Sequence, residues 1–347
     1  MIEQLIKENS AQPLLTLAIP TFNRLECLRL LVDSVINQIP NEGVLGESFE
    51  LLICNNASSD GTTEYLNELA NAKVIRVIHH ASNCGPVDNI IHCFESATGK
   101  FVWVMGDDDV PLCGAINAVM ENIEQENPAL MYLPSKWVAG DLGKMANHPI
   151  SSTNVRSISN ISLAVRSSVY ITFISSWVIN KELYLSQKNT KFDRYRDTSL
   201  PQLEWFFSLI GNERIFLYAE DNWVVARAGN SGGYSILDTF SQQYNQIVND
   251  KFKNSPKLNC FYRSDMLWSF MPSMILGLRK NTIGDFGSFD RDKVLKLLKT
   301  VYGKDLFFVW VLVPIITQNI IFARIYALIA RILAKLRAMI WRAYCIL

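Results

Sequence analysis

Between residues 13 and 109 the chain alternates four times between a short apolar run and a polar loop, with helical patterns between the runs. That alternation limits the fold more than anything else in the sequence. Residues 13–20 (PLLTLAIP) form a continuous apolar run, of the kind buried on both faces in a parallel sheet. Thr21-Phe-Asn-Arg24 follows, and then Leu25, Leu28, Leu31, Val32 and Val35 recur at helical spacing. Residues 49–54 are the second run and lead into the polar loop 55–62, where Ser59 or Asp60 is placed to cap a helix over 62–69. The third run, 74–78, precedes His79-His-Ala-Ser-Asn-Cys-Gly85 and a helix from about 87 to 97. Residues 101–105 are the fourth. A β-α-β-α-β-α-β order predicts an α/β, doubly wound, mostly parallel sheet with helices on both faces. Each strand then delivers its loop to one sheet edge, where such sheets bind ligands. Each turn residue has a local reason of its own, but four polar loops in this order point to a ligand edge.

The fourth run ends in Gly106-Asp107-Asp108-Asp109. Three adjacent carboxylates repel one another, so a cation is expected among them. A hard divalent ion with oxygen ligands, carrying a phosphate, answers that need. A solvated acidic turn is the bland alternative.

Residues 19–24 (IPTFNR), 55–62 (NNASSDGT), Asn83-x-Gly85, Gly99 and 106–109 (GDDD) together resemble the family 2 glycosyltransferases with the GT-A fold, over roughly residues 13–115. Within that family the chain is most similar to the abequosyltransferase-like branch of O-antigen enzymes. The resemblance implies a nucleotide-diphosphate sugar donor, Mg²⁺ or Mn²⁺, and transfer to a hydroxyl. It implies that Pro20, Thr21, Asn23 and Arg24 line the nucleotide pocket, that Asn55 or Asn56 meets the base, and that Asp60, Asn83, Gly85 and Asn89 shape the pocket. It also implies Asp107 near the ribose, with Asp109 and Asp107 on the metal; Asp108 is a second ligand or a solvated neighbour. The metal matters because the leaving diphosphate develops negative charge. The family often has two aspartates where this chain has Asn55-Asn56. Asn can donate as well as accept, which suits the N3 acceptor of cytosine and is compatible with a CDP-sugar.

The second half is less informative. Residues 129–133 read as a strand, and 169–174 lead into Ser175-Ser-Trp-Val-Ile-Asn180. An inverting transfer needs a carboxylate base; Asp197 and Glu204 are the candidates, and Glu220-Asp221 is a literal acidic pair that comes late. Arg227 opens a Gly-rich loop, 227–234, which reads as a lid over the donor or as a linker. The four histidines, His79, His80, His92 and His148, show no metal-site spacing and read as structural.

Lys+Arg and Asp+Glu are equal at 33 each, which argues against nucleic acid. Seven cysteines without a Cys-x-x-Cys pair indicate neither a zinc cluster nor a disulfide framework. The N-terminal ten residues are too polar for a secretory signal. The apolar run 306–316 is short for a span, which wants about 20 residues. Beyond it Arg324, Arg331, Lys335 and Arg342 fall on one helical stripe, at ~100° per residue, beside Leu328, Ile332, Leu333, Leu336, Ile340 and Trp341. That pattern fits an in-plane helix on an anionic membrane surface; packing on its own domain or on a twin subunit, as a homo-oligomer, is the alternative. The expected divisions are 1–128 (nucleotide half), 129–235 (acceptor half), 236–303 (helical extension) and 304–347 (membrane-associating helices). The expected role is extension of a lipid-linked oligosaccharide at the cytoplasmic face of the cell membrane. A nucleotidyltransferase is disfavoured by the glycine-free loop after the first strand, and a non-catalytic nucleotide-sugar-binding scaffold is the other alternative.

Overall fold

The four apolar runs between residues 13 and 105 lie side by side in one eight-stranded sheet. The structure, a computed structural model, describes residues 12–39, 48–210, 214–229, 235–280 and 289–344, with side chains described as far as Trp341. The polar N-terminal lead, residues 230–234 of the Gly-rich loop and the Arg342 side chain lie outside the described residues. The strands are β1 (Leu15–Thr21), β2 (Phe49–Asn55), β3 (Arg76–His79), β4 (Phe101–Val104), β5 (Val110–Pro111), β6 (Leu130–Tyr132), β7 (Ser135–Val138), β8 (Val155–Ile158), β9 (Trp177–Asn180), β10 (Phe216–Ala219) and β11 (Val224–Arg227). The sheet order is β3-β2-β1-β4-β9-β6-β10-β8, and β5-β11-β7 form a second, three-stranded sheet. β3, β2, β1 and β4 run parallel. β9 is inserted antiparallel between β4 and β6. Residues 169–174, ahead of β9, do not form a strand: short 3-10 turns cover Ser168–Thr172 and Ile174–Ser176.

Two compact units result. The first comprises Met1–Ile158, Phe173–Arg196 and Glu204–Ala228; the second comprises Ser159–Thr172, Asp197–Leu203 and Gly229–Leu347. The expected nucleotide and acceptor halves therefore share most of one unit, and the C-terminal helices share the other.

In the first unit the alternate residues Leu15, Leu17 and Ile19 of β1 meet Leu28, Leu31, Val32 and Val35 of the helix Leu25–Ile36, all buried. This is the helical stripe read from the sequence, and burying such a stripe is worth about 2 kcal/mol per large aliphatic side chain. The opposite, amino-terminal edge of the sheet is held by polar bonds. Gly99 N–H donates to Thr16 Oγ1 at 2.8 Å, and Thr16 Oγ1 donates to Glu50 Oε2 at 2.5 Å. A Cβ on residue 99 would lie 2.6 Å from the Thr16 nitrogen, so only glycine lets the chain enter β4 there.

The second unit is helical. Its helices Pro256–Asp265, Met271–Arg279, Arg291–Tyr302 and Ile320–Tyr344 pack around Phe261, Tyr262, Met271, Leu298 and Leu312. Pro272 and Pro314 each follow a wide π-type turn, Met266–Phe270 and Phe308–Leu312. A proline cannot donate to the carbonyl four residues back and crowds it, and the wider turn relieves that clash. Pro314 thus bends the 306–316 run without ending it. Arg279 reaches the carbonyls of Ile315 and Gln318 at the end of the short helix Val313–Thr317. Arg337, its side chain 10% exposed, pairs with the buried Asp265 at 3.1 Å. No described helix is long and apolar enough to cross a membrane. Helix Ile320–Tyr344 nevertheless leaves Ile321, Phe322, Ile325, Leu328, Ile332, Leu336, Met339 and Ile340 exposed, and among its described side chains only Ala323 and Ala330 are fully buried.

Candidate active site

The carboxyl ends of β1 and β4 bring Thr21, Arg24 and the three aspartates together. Thr21 Oγ1 donates to Asp107 Oδ2 at 2.8 Å, and Arg24 Nη1 lies 3.0 Å from Asp107 Oδ1 and 3.1 Å from Asp108 Oδ2. The cation expected among the carboxylates is therefore in part the protein's own. Asp108, read as a second ligand or a solvated neighbour, is an ion-pair partner of Arg24. Burial works against the Arg24 charge, but the two carboxylates outweigh it and raise its affinity for its proton. Burial pushes Asp107 up to about 6 despite Arg24 and Thr21.

Asp109 is built differently. Its Oδ2 accepts from Ser175 Oγ at 2.6 Å and its Oδ1 accepts from the Arg227 N–H at 3.2 Å. Ser175 Oγ also accepts from the Gly106 N–H at 3.0 Å. Pairing of β9 with β4 brings Ser175 to this place, and the Val225–Val110 register of β11 and β5 brings Arg227. Among the described residues no cation pairs with Asp109. Burial, with the Asp108 charge beside it, pushes its carboxyl up to about 7. The Arg227 Nε is buried and has no hydrogen-bond partner among the described residues. A carboxylate with no cation partner among the described residues is thus joined, through the Arg227 N–H, to the residue whose guanidinium Nε lacks an acceptor.

The asparagines serve the loops. Asn55 Nδ2 donates to Thr63 Oγ1 and faces His79 Nδ1, and its Oδ1 accepts from Ser58 N–H. Asn56 Nδ2 donates to Asn83 Oδ1 and the Gly85 carbonyl, while its Oδ1 accepts from Cys84 N–H. Both amides are engaged by protein, so in this conformation they set the loop shape and do not offer free groups to a base. Gly85, at φ +88°, takes a backbone conformation that glycine adopts readily. Asn89 is buried; its Nδ2 bonds the carbonyls of Thr21 and Cys54. Asn23, at φ +51°, accepts from Ser59 N–H. Asp60 accepts from the Leu25 and Thr62 N–H groups, fixing the starts of two helices. Ser59 is not the cap. Pro20 sits on β1 beside Cys54 of β2.

Asp197 is exposed and belongs to the second unit. Glu204 is fully buried and paired with Arg194 at 3.0 Å, with Ser208 Oγ on its other oxygen at 3.2 Å. That burial removes Glu204 from reach of an acceptor hydroxyl in this conformation. Glu220 pairs with Arg156, and Asp221 accepts from Ser151 N–H at 3.1 Å. The sequence reading missed Ser175, because only a strand pairing 69 residues away in sequence gives it a role. It also read His80 and His92 as lacking metal-site spacing, whereas the fold brings them and Cys84 to within ligand range of one another.

Residues 16–184 match the model described as glycosyl transferase family 2. This segment is a family 2 glycosyltransferase domain. It shares 33% identity over 98 residues with the abequosyltransferase RfbV of Salmonella typhimurium, 28% of each chain. It shares 27% over 115 residues with the GalNAc(5)-diNAcBac-PP-undecaprenol beta-1,3-glucosyltransferase of Campylobacter jejuni, 33% of this chain and 35% of that one. The matched stretches therefore span about a third of the length of these relatives. The fold of the chain is similar to that of S. aureus TarS 1–349 in complex with UDP-GlcNAc, with TM-score 0.57, 14% identity, and 91% and 89% of the two chains covered. A second TarS structure, in complex with UDP, gives TM-score 0.56 at 15% identity.

Proposed function

We propose that the protein transfers a sugar from a nucleotide-diphosphate donor to the hydroxyl of a lipid-linked oligosaccharide. The observation that carries this reading is the acidic centre at the ends of β1 and β4. There Asp109 lacks a cation partner among the described residues, and the Arg227 Nε lacks an acceptor. A diphosphate held by a divalent ion satisfies both needs at once.

The donor set fits such an ion: Asp109 and Asp107 are hard oxygen ligands, and Mg²⁺ or Mn²⁺ is the matching class. When bound, the ion would neutralise charge on the departing diphosphate. The chain's own residues do the rest. Arg24 holds Asp107 and Asp108 in place, Ser175 and the Arg227 N–H orient Asp109, and the Arg227 side chain takes phosphate oxygen. The Asn56–Asn83–Gly85 network shapes the floor on which the base lies. We assign the donor to the CDP-linked deoxyhexoses, supported by similarity to an abequosyltransferase. Since the Asn55 and Asn56 amides are engaged, selection of cytosine works through loop shape and backbone groups.

The exposed apolar face of helix Ile320–Tyr344, with Arg324, Arg331 and Lys335 also exposed, supports a seat on an anionic membrane surface, where a lipid-linked acceptor resides. On the cell membrane that surface is the cytoplasmic one.

Release of nucleoside diphosphate from CDP-, UDP-, GDP- and dTDP-sugars, with membrane extract as acceptor source, tests the reading. Turnover of a CDP-sugar that is abolished in Asp109→Ala supports it. Turnover of none of the four, by protein that binds no nucleotide, overturns it.

A further inference from the structure

The loop that follows β3 folds back on the helix Pro86–Ser96, and so brings two histidines and a cysteine together. One ligand atom from each of His80, Cys84 and His92 lies within 4.8 Å of the other two. The rings of His80 and His92 lie 4.9 Å apart between centroids, tilted by 42°. We propose that His80, Cys84 and His92 bind a zinc-type divalent metal, at a site chemically separate from the aspartate centre.

The protonation pattern is what a ligand set needs. Asn89 Nδ2 lies 3.1 Å from the Cys54 carbonyl and 3.4 Å from that of Thr21, and a carbonyl only accepts. The amide orientation is thereby fixed, and Asn89 Oδ1 must be the atom facing His80 Nε2 at 3.1 Å. His80 Nε2 then carries the proton, and in the neutral ring Nδ1 keeps its lone pair. A ligating histidine that donates its other N–H to a carbonyl-type oxygen is the usual outer support of a metal centre. The second observation is independent: His92 Nδ1 is buried without any hydrogen-bond partner among the described residues. A buried ring nitrogen left unpaired costs about 1–3 kcal/mol, which a ligated metal removes. The third ligand, Cys84 Sγ, lies 3.2 Å from Asn56 Oδ1 and 3.8 Å from the Gly85 carbonyl, both acceptors. The thiol donates to these acceptors in this structure, so binding must exchange its proton for the metal.

One thiolate and two imidazoles select zinc-like ions over Mg²⁺ or Mn²⁺. Ligand atoms of a tetrahedral zinc centre lie roughly 3.5 Å apart, given Zn–N and Zn–S lengths of about 2.1 and 2.3 Å. The three groups must therefore close by about 1 Å, and all three side chains are only half-buried. Binding deprotonates Cys84 and releases that proton to solvent. The metal would clamp residues 80–85 onto the helix, and that loop carries Asn83 and Gly85 to Asn56.

The test is Co²⁺ titration of the full chain after chelator treatment. The expected result is one equivalent bound, with a thiolate-to-cobalt charge-transfer band that Zn²⁺ displaces and Mg²⁺ does not. The band is lost in Cys84→Ser, and affinity falls at least about tenfold in His92→Gln. It persists in Cys113→Ser and Cys260→Ser, which remove two exposed thiols, and in Asp109→Ala. Persistence in Asp109→Ala separates this site from the proposed donor centre, whatever the fate of that reading. An unchanged band in folded Cys84→Ser, or no band in the folded wild type, overturns the proposal. Should Cys84→Ser fail to fold, an unaltered titration of His92→Gln overturns it equally.

Discussion

Ser175 shows how much of this site rests on single hydroxyls. Its Oγ links Asp109 to the Gly106 N–H, and Ser175 and Asp109 are both buried. Ser175→Ala leaves a buried acceptor and a half-buried donor without this partner, a cost of about 2 kcal/mol. Chemical denaturation checks this; wild-type stability in the variant contradicts the geometry. Arg24 and Thr21 were legible in the sequence, because a strand followed directly by a polar turn places them at the ligand edge. The pairing of Arg24 with Asp107 and Asp108 was not, since it depends on how far β1 and β4 extend. The amides of Asn55 and Asn56 were misjudged for a related reason. A sequence shows that an amide can donate and accept, but not that its neighbours already engage it.

At the scale of elements, the amino-terminal edge of the sheet depends on Glu50. Burial pushes its carboxyl up, and hydrogen bonds from Thr16 Oγ1, the Thr98 N–H and Arg76 more than reverse that, leaving it below its ordinary 4.5. Arg76 Nε lies 2.6 Å from Glu50 Oε1. A carboxylate with a lowered folded value contributes stability above the ordinary value and loses it as pH falls through the folded one. Glu50→Gln is expected to be about 2 kcal/mol less stable at pH 7, with the gap closing below pH 4.5. Parallel unfolding curves at pH 7 and pH 3.5 test this, and a constant gap refutes it. β1 to β4 were readable because each is a continuous apolar run bounded by turn residues. The antiparallel insertion of β9 between β4 and β6 was not readable, since strand pairing across that distance leaves no local periodicity. The 169–174 run, apolar enough for a strand, turns twice in 3-10 form instead.

On the scale of the whole molecule, the two units rest on different devices. The second is held by Arg337, stacked 5.0 Å over Phe261 and paired with Asp265. Removing one partner of a buried pair costs about 3–5 kcal/mol. Arg337→Met is therefore expected to lower the unfolding midpoint of the second unit sharply, and Arg337→Met/Asp265→Leu to recover part of it. A single variant with the wild-type midpoint counts against the pair. The basic stripe of the last helix was visible in the sequence, whereas the inward role of Arg337 was hidden by its likeness to its basic neighbours. Sedimentation with anionic vesicles checks the membrane seat. Arg331→Gln/Lys335→Gln is expected to weaken vesicle binding about thirtyfold, at about 1 kcal/mol per basic residue; wild-type protein that ignores anionic vesicles rejects it. The central claim, that the aspartate centre holds a metal-bound nucleoside diphosphate, is tested most directly by calorimetric binding of CDP and UDP with and without Mn²⁺. The account predicts Mn²⁺-dependent binding, tighter for CDP, and its loss in Asp109→Ala. Binding that is indifferent to Mn²⁺ and survives that substitution contradicts the account.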